Sequence, residues 1–517
     1  MLKYACLLLI AALRTFAAPA QNLAAAVVAT EYGRVQGYVQ GGIVTYKGIP
    51  YAQTERFMPP QKPNTWQGVR SALAYGPVCP QEASSPGSTE LSAVFQSQAG
   101  TPGEDCTQLN IWTPGVNDGK KRPVMVWLHG GSFVSGSDRE LPAYDGENLS
   151  RSGDVVVVSL NHRLNVLGFL NLAACGPKYK ASGNVGMMDI VAALEWVRGN
   201  IGRFGGDAGN VTVFGQSGGG GKVGALLVAP SAKGLFHKAI IQSGAHLRYN
   251  KAEDSQLVGL ALLKELGLQP GQVDSLRTMP YERLQAASTR ALEQVNRQLG
   301  RFGIDWAPSR DGDFILFQPL SEEALAVARR VPLLIGSTKN EAVAAFHNPG
   351  FAGPQTEAEA RQILAEKYGN KTDAYIKAVR KAYPAATRPL DLMDVDVRTS
   401  VILLANHRAK AAPVYCYLFA WQSPVLQGRM QSFHCLELPF VFNNTERCAG
   451  MTGGGPEAAA LAEKVSQAWV SFARTGNPSH QGLPTWKPYA PGTTATMIFD
   501  TTCELRQNHD KQLLELQ

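Results

Sequence analysis

The sequence predicts an α/β fold with a doubly wound, largely parallel central sheet. Short continuous apolar runs at residues 124–128, 155–160 and 211–214 are typical of strands that are buried on both faces. A segment with apolar residues at roughly helical spacing, residues 187–204, separates the last two runs. Strands that alternate with helices in this way lie side by side and are covered by the helices on both faces.

The remaining strands and edges follow in chain order. Short alternating runs broken by glycines at residues 25–51 favour an antiparallel edge of the sheet, and the Ser/Gly/Pro-rich residues 84–103 favour an exposed loop. Further short apolar runs at residues 239–241, 332–336 and 414–420 predict additional strands. The sheet is therefore expected to extend through most of the chain.

Two long stretches interrupt this alternation. Residues 251–323 and 355–412 are helix-compatible and have few strand signals, which predicts helical insertions over the sheet. No Gly/Ser-rich or Pro-rich linker divides the 517 residues. We therefore expect a single domain over residues 21–517 whose insertions shape the substrate pocket.

The first twenty residues resemble an export signal. Lys3 gives a positive start, residues 5–13 are apolar, and residues 18–20 form an A-x-A cleavage site. A membrane anchor is the alternative, but the apolar segment is too short to span a bilayer and no later apolar run is long enough. The sequence thus predicts a secreted or periplasmic protein, cleaved near Ala20 and without stable membrane insertion.

The net charge and the cysteines limit the partners and the disulfide bonds that the sequence predicts. The net charge of +7 is scattered along the chain, which does not favour nucleic-acid binding. Of eight cysteines, removal of Cys6 with the signal leaves an odd number in an oxidising compartment. Candidate pairs are Cys79 with Cys106 and Cys435 with Cys448, and no metal-binding motif is present. Three cysteines stay unassigned: Cys175, Cys416 and Cys503.

Residues 215–219 form a G-x-S-x-G pattern around Ser217, at the end of an apolar run and before a helix-compatible segment. A serine on such a sharp turn needs neighbours without side chains, which Gly215 and Gly219 provide. A phosphate-binding P-loop is disfavoured because Gln216 and Val223 occupy the positions of its glycine and hydroxyl residue. A tight turn with an incidental serine stays open unless catalytic partners exist elsewhere.

Ser217 needs a general base and a group that orients this base. Seven histidines follow it, and His347 and His434 are the best placed. His434 is favoured because it lies in a loop after the strand at residues 414–420. The others lie in polar, charged or unsuitable segments: His237, His246, His407, His480 and His509.

The orienting carboxylate is expected at the carboxyl end of a strand. Glu341 closely follows the strand at residues 332–336, although a surface carboxylate is the ordinary role of a glutamate. The rival carboxylates lie in an insertion: Asp305, Asp311 and Asp313. For the oxyanion, the glycine turn after residues 124–128 and the residue after Ser217 offer N–H donors from Gly130, Gly131 and Gly218.

With these motifs in place, the chain resembles the type-B carboxylesterases, the family that includes the cholinesterases. The resemblance covers nearly the whole chain after residue 20, through the elbow, Glu341 and His434 with residues 437–440. Further motifs that carry it lie at residues 46–52, 104–112, 161–170, 183–189 and 200–210. The resemblance implies an α/β-hydrolase fold.

The resemblance also implies a Ser217–His434–Glu341 triad and an oxyanion hole from Gly130, Gly131 and Gly218. It implies a Cys79–Cys106 disulfide and places Ser243 near the acid, as a residue that supports the triad. The expected activity is hydrolysis of small carboxylic esters through an acyl-serine, without a metal or organic cofactor. Alternatives are the same mechanism on carbamate, amide or thioester bonds, and a non-catalytic cholinesterase-like binding protein.

Three departures from the family pattern have consequences. Gln216 replaces the usual glutamate before the nucleophile, Gly218 replaces the usual alanine after it, and residues 54–56 differ from the family's usual loop. A neutral Gln216 removes a negative charge that could attract a cationic ester. We therefore expect neutral esters to be hydrolysed at least as well as matched choline esters.

Overall fold

The structure is a computed structural model that describes residues 26–82, 89–300, 303–344, 353–396 and 398–516. The predicted signal at residues 1–20 and the candidate base His347 lie outside the described residues. Within them, no helix is long and apolar enough to cross a membrane.

The strands in the described part of the chain are β1 Val27–Ala29, β2 Arg34–Gln36, β3 Tyr38–Gln40, β4 Ile43–Pro50, β5 Val69–Ser71, β6 Gln108–Thr113, β7 Arg122–Leu128, β8 Val156–Leu160, β9 Gly206–Gln216, β10 Lys238–Gln242, β11 Asn250–Lys251, β12 Ser309–Arg310, β13 Leu333–Thr338, β14 Val414–Phe419, β15 Thr496–Phe499 and β16 Glu504–Arg506.

The α-helices there are α1 Thr89–Phe95, α2 Glu147–Gly153, α3 Asn165–Phe169, α4 Val185–Asn200, α5 Gly218–Leu226, α6 Ala252–Glu265, α7 Tyr281–Leu299, α8 Ala324–Val327, α9 Glu357–Tyr368, α10 Thr372–Ala382, α11 Thr399–Arg408, α12 Leu438–Val441, α13 Ala449–Thr452, α14 Pro456–Thr475 and α15 Lys511–Glu515.

The central sheet, as described, has eleven strands in the order β16-β15-β14-β13-β10-β9-β7-β8-β6-β4-β3. Strands β14, β13, β10, β9, β7 and β8 pair in parallel, whereas β6, β4 and β3 form an antiparallel edge. The predicted fold class is confirmed, including the antiparallel N-terminal edge. Because β9, β10, β13 and β14 are neighbours, the loops at their carboxyl ends converge on one edge of the sheet.

Apolar side chains cover both faces of the central strands. All residues of β7, β8, β10, β13 and β14 are buried, as continuous apolar runs predict. One face packs against α4 and α5, and the other packs against α14 through residues such as Trp127, Tyr417 and Trp469. The strands therefore give the loops at their ends a rigid support.

Three local expectations differ from the structure. Helix α1 lies in the stretch 84–103 that was expected to be an exposed loop, and Val94 on it is buried in the core. Strand β9 begins at Gly206, earlier than its apolar run indicates, because its first residues extend the pairing with β7. Helix α5 begins at Gly218, so the glycines after Ser217 are helical despite their low helix propensity.

Candidate active site

Ser217 lies on a strained turn between β9 and α5. Its backbone has φ of 55° and ψ of −123°, a conformation that residues with side chains rarely adopt. The turn is held by the hydrogen bond from Ser217 N–H to the Gln242 carbonyl, 2.8 Å. A Cβ atom at Gly219 would lie 2.0 Å from the Leu128 carbonyl oxygen, so glycine is required there. The close packing of β7, β9 and α5 thus fixes the turn that carries Ser217.

Glu341 and His434 meet at the ends of β13 and β14. The Glu341 carboxylate accepts a hydrogen bond from His434 Nδ1–H, and its other oxygen accepts one from Thr338 N–H at 2.8 Å. A parallel β-bridge between Asn340 and Phe433 joins the two loops one residue before each of these side chains. The backbone therefore fixes the distance between the carboxylate and the imidazole.

Glu341 and His434 each stabilise the charged form of the other. Burial alone would raise the pKa of the Glu341 carboxyl, but His434, the Ser243 hydroxyl and Thr338 N–H hold this pKa below its usual value. Burial alone would lower the pKa of the His434 imidazole, but Cys435 and Glu341 raise it well above its usual value. The carboxylate thus favours the protonated form of the imidazole, as a partner of a general base must. Ser243 lies near the carboxylate, although its hydroxyl makes no hydrogen bond within the described residues.

Gln216 covers the imidazole of His434. Its amide nitrogen is 3.1 Å from His434 Nε2 and 3.4 Å from Nδ1. An atom at nearly equal distances from both ring nitrogens lies over the ring face and not in the ring plane. The Cys435 thiol donates to the amide oxygen of Gln216 at 3.4 Å. The side chain is therefore held between the base and Cys435, with its amide nitrogen close to Nε2.

The structure brings Glu341 and His434 into contact and places Ser217 beside Gln216 on the same edge. Among the described residues, no hydrogen bond joins Ser217 Oγ to His434 Nε2. Such contacts are often long in enzymes without substrate and tighten when substrate binds. Ser217 itself is half-buried.

The glycine turn after β7 lies against the serine turn. A Cβ atom at Gly130 would lie 3.7 Å from Ser217 Cβ, and one at Gly218 would lie 2.2 Å from the Ser132 carbonyl oxygen. Gly218 therefore replaces alanine for a local steric reason, since any side chain there would push the turn away. Within the described residues, no backbone carbonyl accepts a hydrogen bond from the N–H groups of Gly130, Gly131 and Gly218, whereas Gly130 N–H acts on the buried Tyr144 hydroxyl.

The rival candidates make contacts elsewhere. Asp311 accepts a hydrogen bond from Asn184, Asp313 pairs with Lys180, and Asp305 accepts one from Trp306 N–H. The other described histidines have their own partners: His237 with Val211, His246 with Phe133, His407 with Ser321, His480 with Lys464 and His509 with Tyr383. None of these side chains contacts Ser217 or Glu341 in the part of the chain that is described.

The cysteines are free thiols throughout the described residues. The expected Cys79–Cys106 disulfide is not formed in this structure, although the two thiols are neighbours. A hydrogen bond to Cys79 and burial raise the pKa of Cys106 well above its usual value. The expected Cys435–Cys448 bond is also absent, because the Cys435 thiol is directed at Gln216 while Cys448 is buried among apolar side chains.

Two buried charged residues at the site were not singled out from the sequence. Glu437, which is fully buried, accepts a hydrogen bond from Gln242, and burial next to Glu341 raises its pKa to about 7. Lys222 lies on α5 and is also fully buried. A lysine among the glycines and apolar residues of 218–228 was the available signal, since charged residues are rarely buried without a role.

A half-buried serine on a strand–turn–helix junction, beside a carboxylate–histidine pair and the N–H groups of a glycine turn, is typical of a serine hydrolase. Comparison with known proteins gives the family: residues 24–516 match the carboxylesterase family, and the chain belongs to it. It is a carboxylic-ester hydrolase that uses an active-site serine.

Similar proteins of known activity span almost the whole chain. The para-nitrobenzyl esterase of Bacillus subtilis is 35% identical over 94% of this chain and 97% of its own. The phenmedipham hydrolase of Pseudarthrobacter oxydans is 33% identical over 91% of this chain and 94% of its own. A solved esterase of Clostridium hathewayi that can hydrolyse aliphatic aromatic polyesters has a TM-score of 0.84 and 38% identity, over 95% and 97% of the two chains.

Proposed function

We propose that this chain is an exported serine carboxylesterase with Ser217 as nucleophile, His434 as general base and Glu341 as the orienting acid. The observation that carries the proposal is the Glu341–His434 contact on the sheet edge that also presents Ser217. The N-terminal pattern at residues 1–20 supports export, and the neighbouring thiols of Cys79 and Cys106 suit oxidation to a disulfide after export.

In the proposed reaction, Ser217 Oγ attacks the ester carbonyl carbon while its proton passes to His434 Nε2. The tetrahedral oxyanion is bound by N–H groups of Gly130, Gly131 and Gly218. The C–O bond to the alcohol then breaks, and His434 returns its proton to the leaving alkoxide. Water repeats the sequence on the acyl-serine, which releases the carboxylic acid and free Ser217. Glu341 stabilises the imidazolium that forms in both halves.

We infer that the substrates are uncharged esters. A cavity of about 260 Å³ opens beside Val134 and Ser135, which follow the glycine turn. Its walls carry three carboxylates, Glu82, Glu293 and Asp305, which disfavour an anionic acyl or alcohol group. Leu292 and Trp306 supply apolar surface there. The similarity to esterases named for p-nitrobenzyl and aliphatic aromatic polyester substrates supports esters with an aromatic group.

A fluorophosphonate probe tests the assignment directly, because it phosphonylates a serine that is activated by its own base. We expect one adduct per folded chain, and peptide mass spectrometry should locate it on Ser217. Denatured protein, which has lost the arrangement around Ser217, is the control and should stay unlabelled. An adduct on another serine, or none on folded protein, would contradict the assignment. N-terminal sequencing of the exported protein should begin near Gln21.

Substitution Gln216→Glu is expected to move the acid limb of the kcat/KM profile to higher pH. A carboxylate over the imidazole favours the protonated form and raises the pKa of His434, and the protonated ring cannot accept the serine proton. The same charge should increase the rate on choline esters relative to matched neutral esters. The pH profile of kcat/KM and the ratio of the two rates are measured with one neutral and one cationic ester. Glu457→Gln, which changes a carboxylate on α14, is the control. If the acid limb of the kcat/KM profile did not move, the charge at position 216 would not affect the pKa of His434.

A further inference from the structure

Lys222 is the one charged residue of α5 and has no exposed surface. A buried ammonium is unfavourable unless its donors are satisfied. Its Nζ donates to the carbonyl of His129 at 2.8 Å and lies 3.5 Å from the carbonyl of Gly130. Among the described residues, no carboxylate comes within ion-pair distance of Nζ, so the charge is directed at these two carbonyl groups.

Each of these carbonyls belongs to a peptide unit of the oxyanion turn. The His129 carbonyl shares its peptide with Gly130 N–H, and the Gly130 carbonyl shares its peptide with Gly131 N–H. Because the peptide is conjugated, a cation on the carbonyl draws electron density from the N–H and makes it a stronger donor. The Gly130 carbonyl also accepts a hydrogen bond from His129 Nδ1–H at 2.9 Å, which acts in the same direction.

We propose that Lys222 is a positioning residue of the oxyanion hole: its ammonium holds the glycine turn from behind and polarises the Gly130 and Gly131 N–H groups toward the developing oxyanion. It does so without touching the substrate. The inference rests on the proposed function of Ser217 and extends it. Removal of one oxyanion-hole donor lowers kcat by about 10²- to 10³-fold, so weakening two donors should lower it by about 10- to 100-fold.

The titratable groups around Lys222 determine how its charge depends on pH. Burial and the charge of Lys222 lower the pKa of His129 and His162 well below the usual value, so both stacked rings are neutral. Burial and the charge of Lys222 lower the pKa of His246, whereas the charge of Asp305 raises it, and the pKa is lowered overall. Glu140 is the acid that favours the ammonium. Burial lowers the pKa of Lys222 to about 7, so its charge is lost as pH rises through neutrality.

The experiment compares wild-type protein with Lys222→Met and Lys222→Gln. Hydrolysis is measured with p-nitrophenyl acetate, and inhibition is measured with a trifluoromethyl ketone, to which Ser217 adds to give a tetrahedral adduct that carries an oxyanion. We expect kcat to fall about 10- to 100-fold in Lys222→Met, with KM changed less than about three-fold. The inhibition constant of the ketone should rise by the factor by which kcat falls. Lys222→Gln keeps a donor without charge and should be intermediate. Lys233→Met, an exposed lysine, should match the wild type.

A folded Lys222→Met protein with unchanged kcat, or with lowered kcat but unchanged ketone affinity, would overturn the proposal. If neither variant folds, the pH dependence of ketone inhibition of the wild-type protein tests the proposal. Its ketone affinity should weaken as pH rises through the pKa of Lys222, and a constant affinity would overturn the proposal as well. Failure of the proposed function is distinguishable, because wild-type protein would then not be labelled by the fluorophosphonate at Ser217.

Discussion

Substitution of Ser217 by alanine is expected to lower kcat for p-nitrophenyl acetate by at least about 10⁴-fold, because the covalent route through the acyl-serine is lost. The oxyanion donors and the pocket stay in place, so a residual rate above that in water should persist. KM should change little, since Oγ forms its decisive bond in the transition state. Steady-state kinetics on purified protein, with the absence of an initial burst, provide the measurement.

A serine far from the chemistry provides the matched control. Ser152 is exposed on α2 and donates to the Asn148 carbonyl, so Ser152→Ala should retain full activity. Circular dichroism and thermal unfolding of both variants should match the wild type, because the backbone at position 217 is held by Gln242 and Gly221 and not by the hydroxyl. Retention of most of the activity in Ser217→Ala would remove Ser217 from the mechanism.

The fold class and the positions of the central strands could be predicted from the sequence because each depends on local patterns, and the site residues stay a prediction from such patterns. Buried parallel strands are apolar throughout, and the turn at Ser217 needs glycines at fixed positions. The position of Glu341 after β13 and of His434 after β14 follows from the rule that loops at the carboxyl ends of strands carry the site. The loop position after the strand at residues 414–420 favours His434 over His347, and the family resemblance strengthens that preference.

Other features depend on contacts between segments that are distant in sequence. Gln216 could be identified as neutral, but its location over the imidazole and its hydrogen bond with Cys435 depend on how β9 meets the loop after β14. The close approach of Gly218 to Ser132 likewise depends on the packing of two turns. The role of Lys222 does not follow from the sequence, because the helical pattern of α5 does not reveal that the Lys222 ammonium reaches the carbonyl of His129.

These contacts give the site an unusual distribution of charge. One cation, on Lys222, lies behind the oxyanion turn, while the residue over the base, Gln216, is neutral. The carboxylate of Glu341 is satisfied by its neighbours, and Glu437 beside it has a raised pKa of about 7, which limits the negative charge near the base. This distribution of charge agrees with the proposal that the substrates are uncharged esters.

Substitution Asp189→Asn is expected to destabilise the protein by about 3–5 kcal/mol, because it leaves the buried guanidinium of Arg163 without a counter-charge. The pair is bidentate, with distances of 2.6 and 2.8 Å, and both side chains are buried. Arg163 also donates to the carbonyls of Glu55 and Met58, so it connects three segments of the chain. Urea unfolding followed by tryptophan fluorescence gives the change in the free energy of unfolding.

The exposed pair of Lys180 and Asp313 offers a control with the same chemical change. Its side chains are 72% and 70% exposed, so Asp313→Asn should change the free energy of unfolding by less than about 1 kcal/mol. The loss in Asp189→Asn should also extend to the site, since Asn165, two residues after Arg163, donates to the Phe133 carbonyl beside the glycine turn. We therefore expect kcat of the folded variant to fall several-fold. If the two variants unfolded at the same urea concentration, Arg163 and Asp189 would not be a main support of this part of the fold.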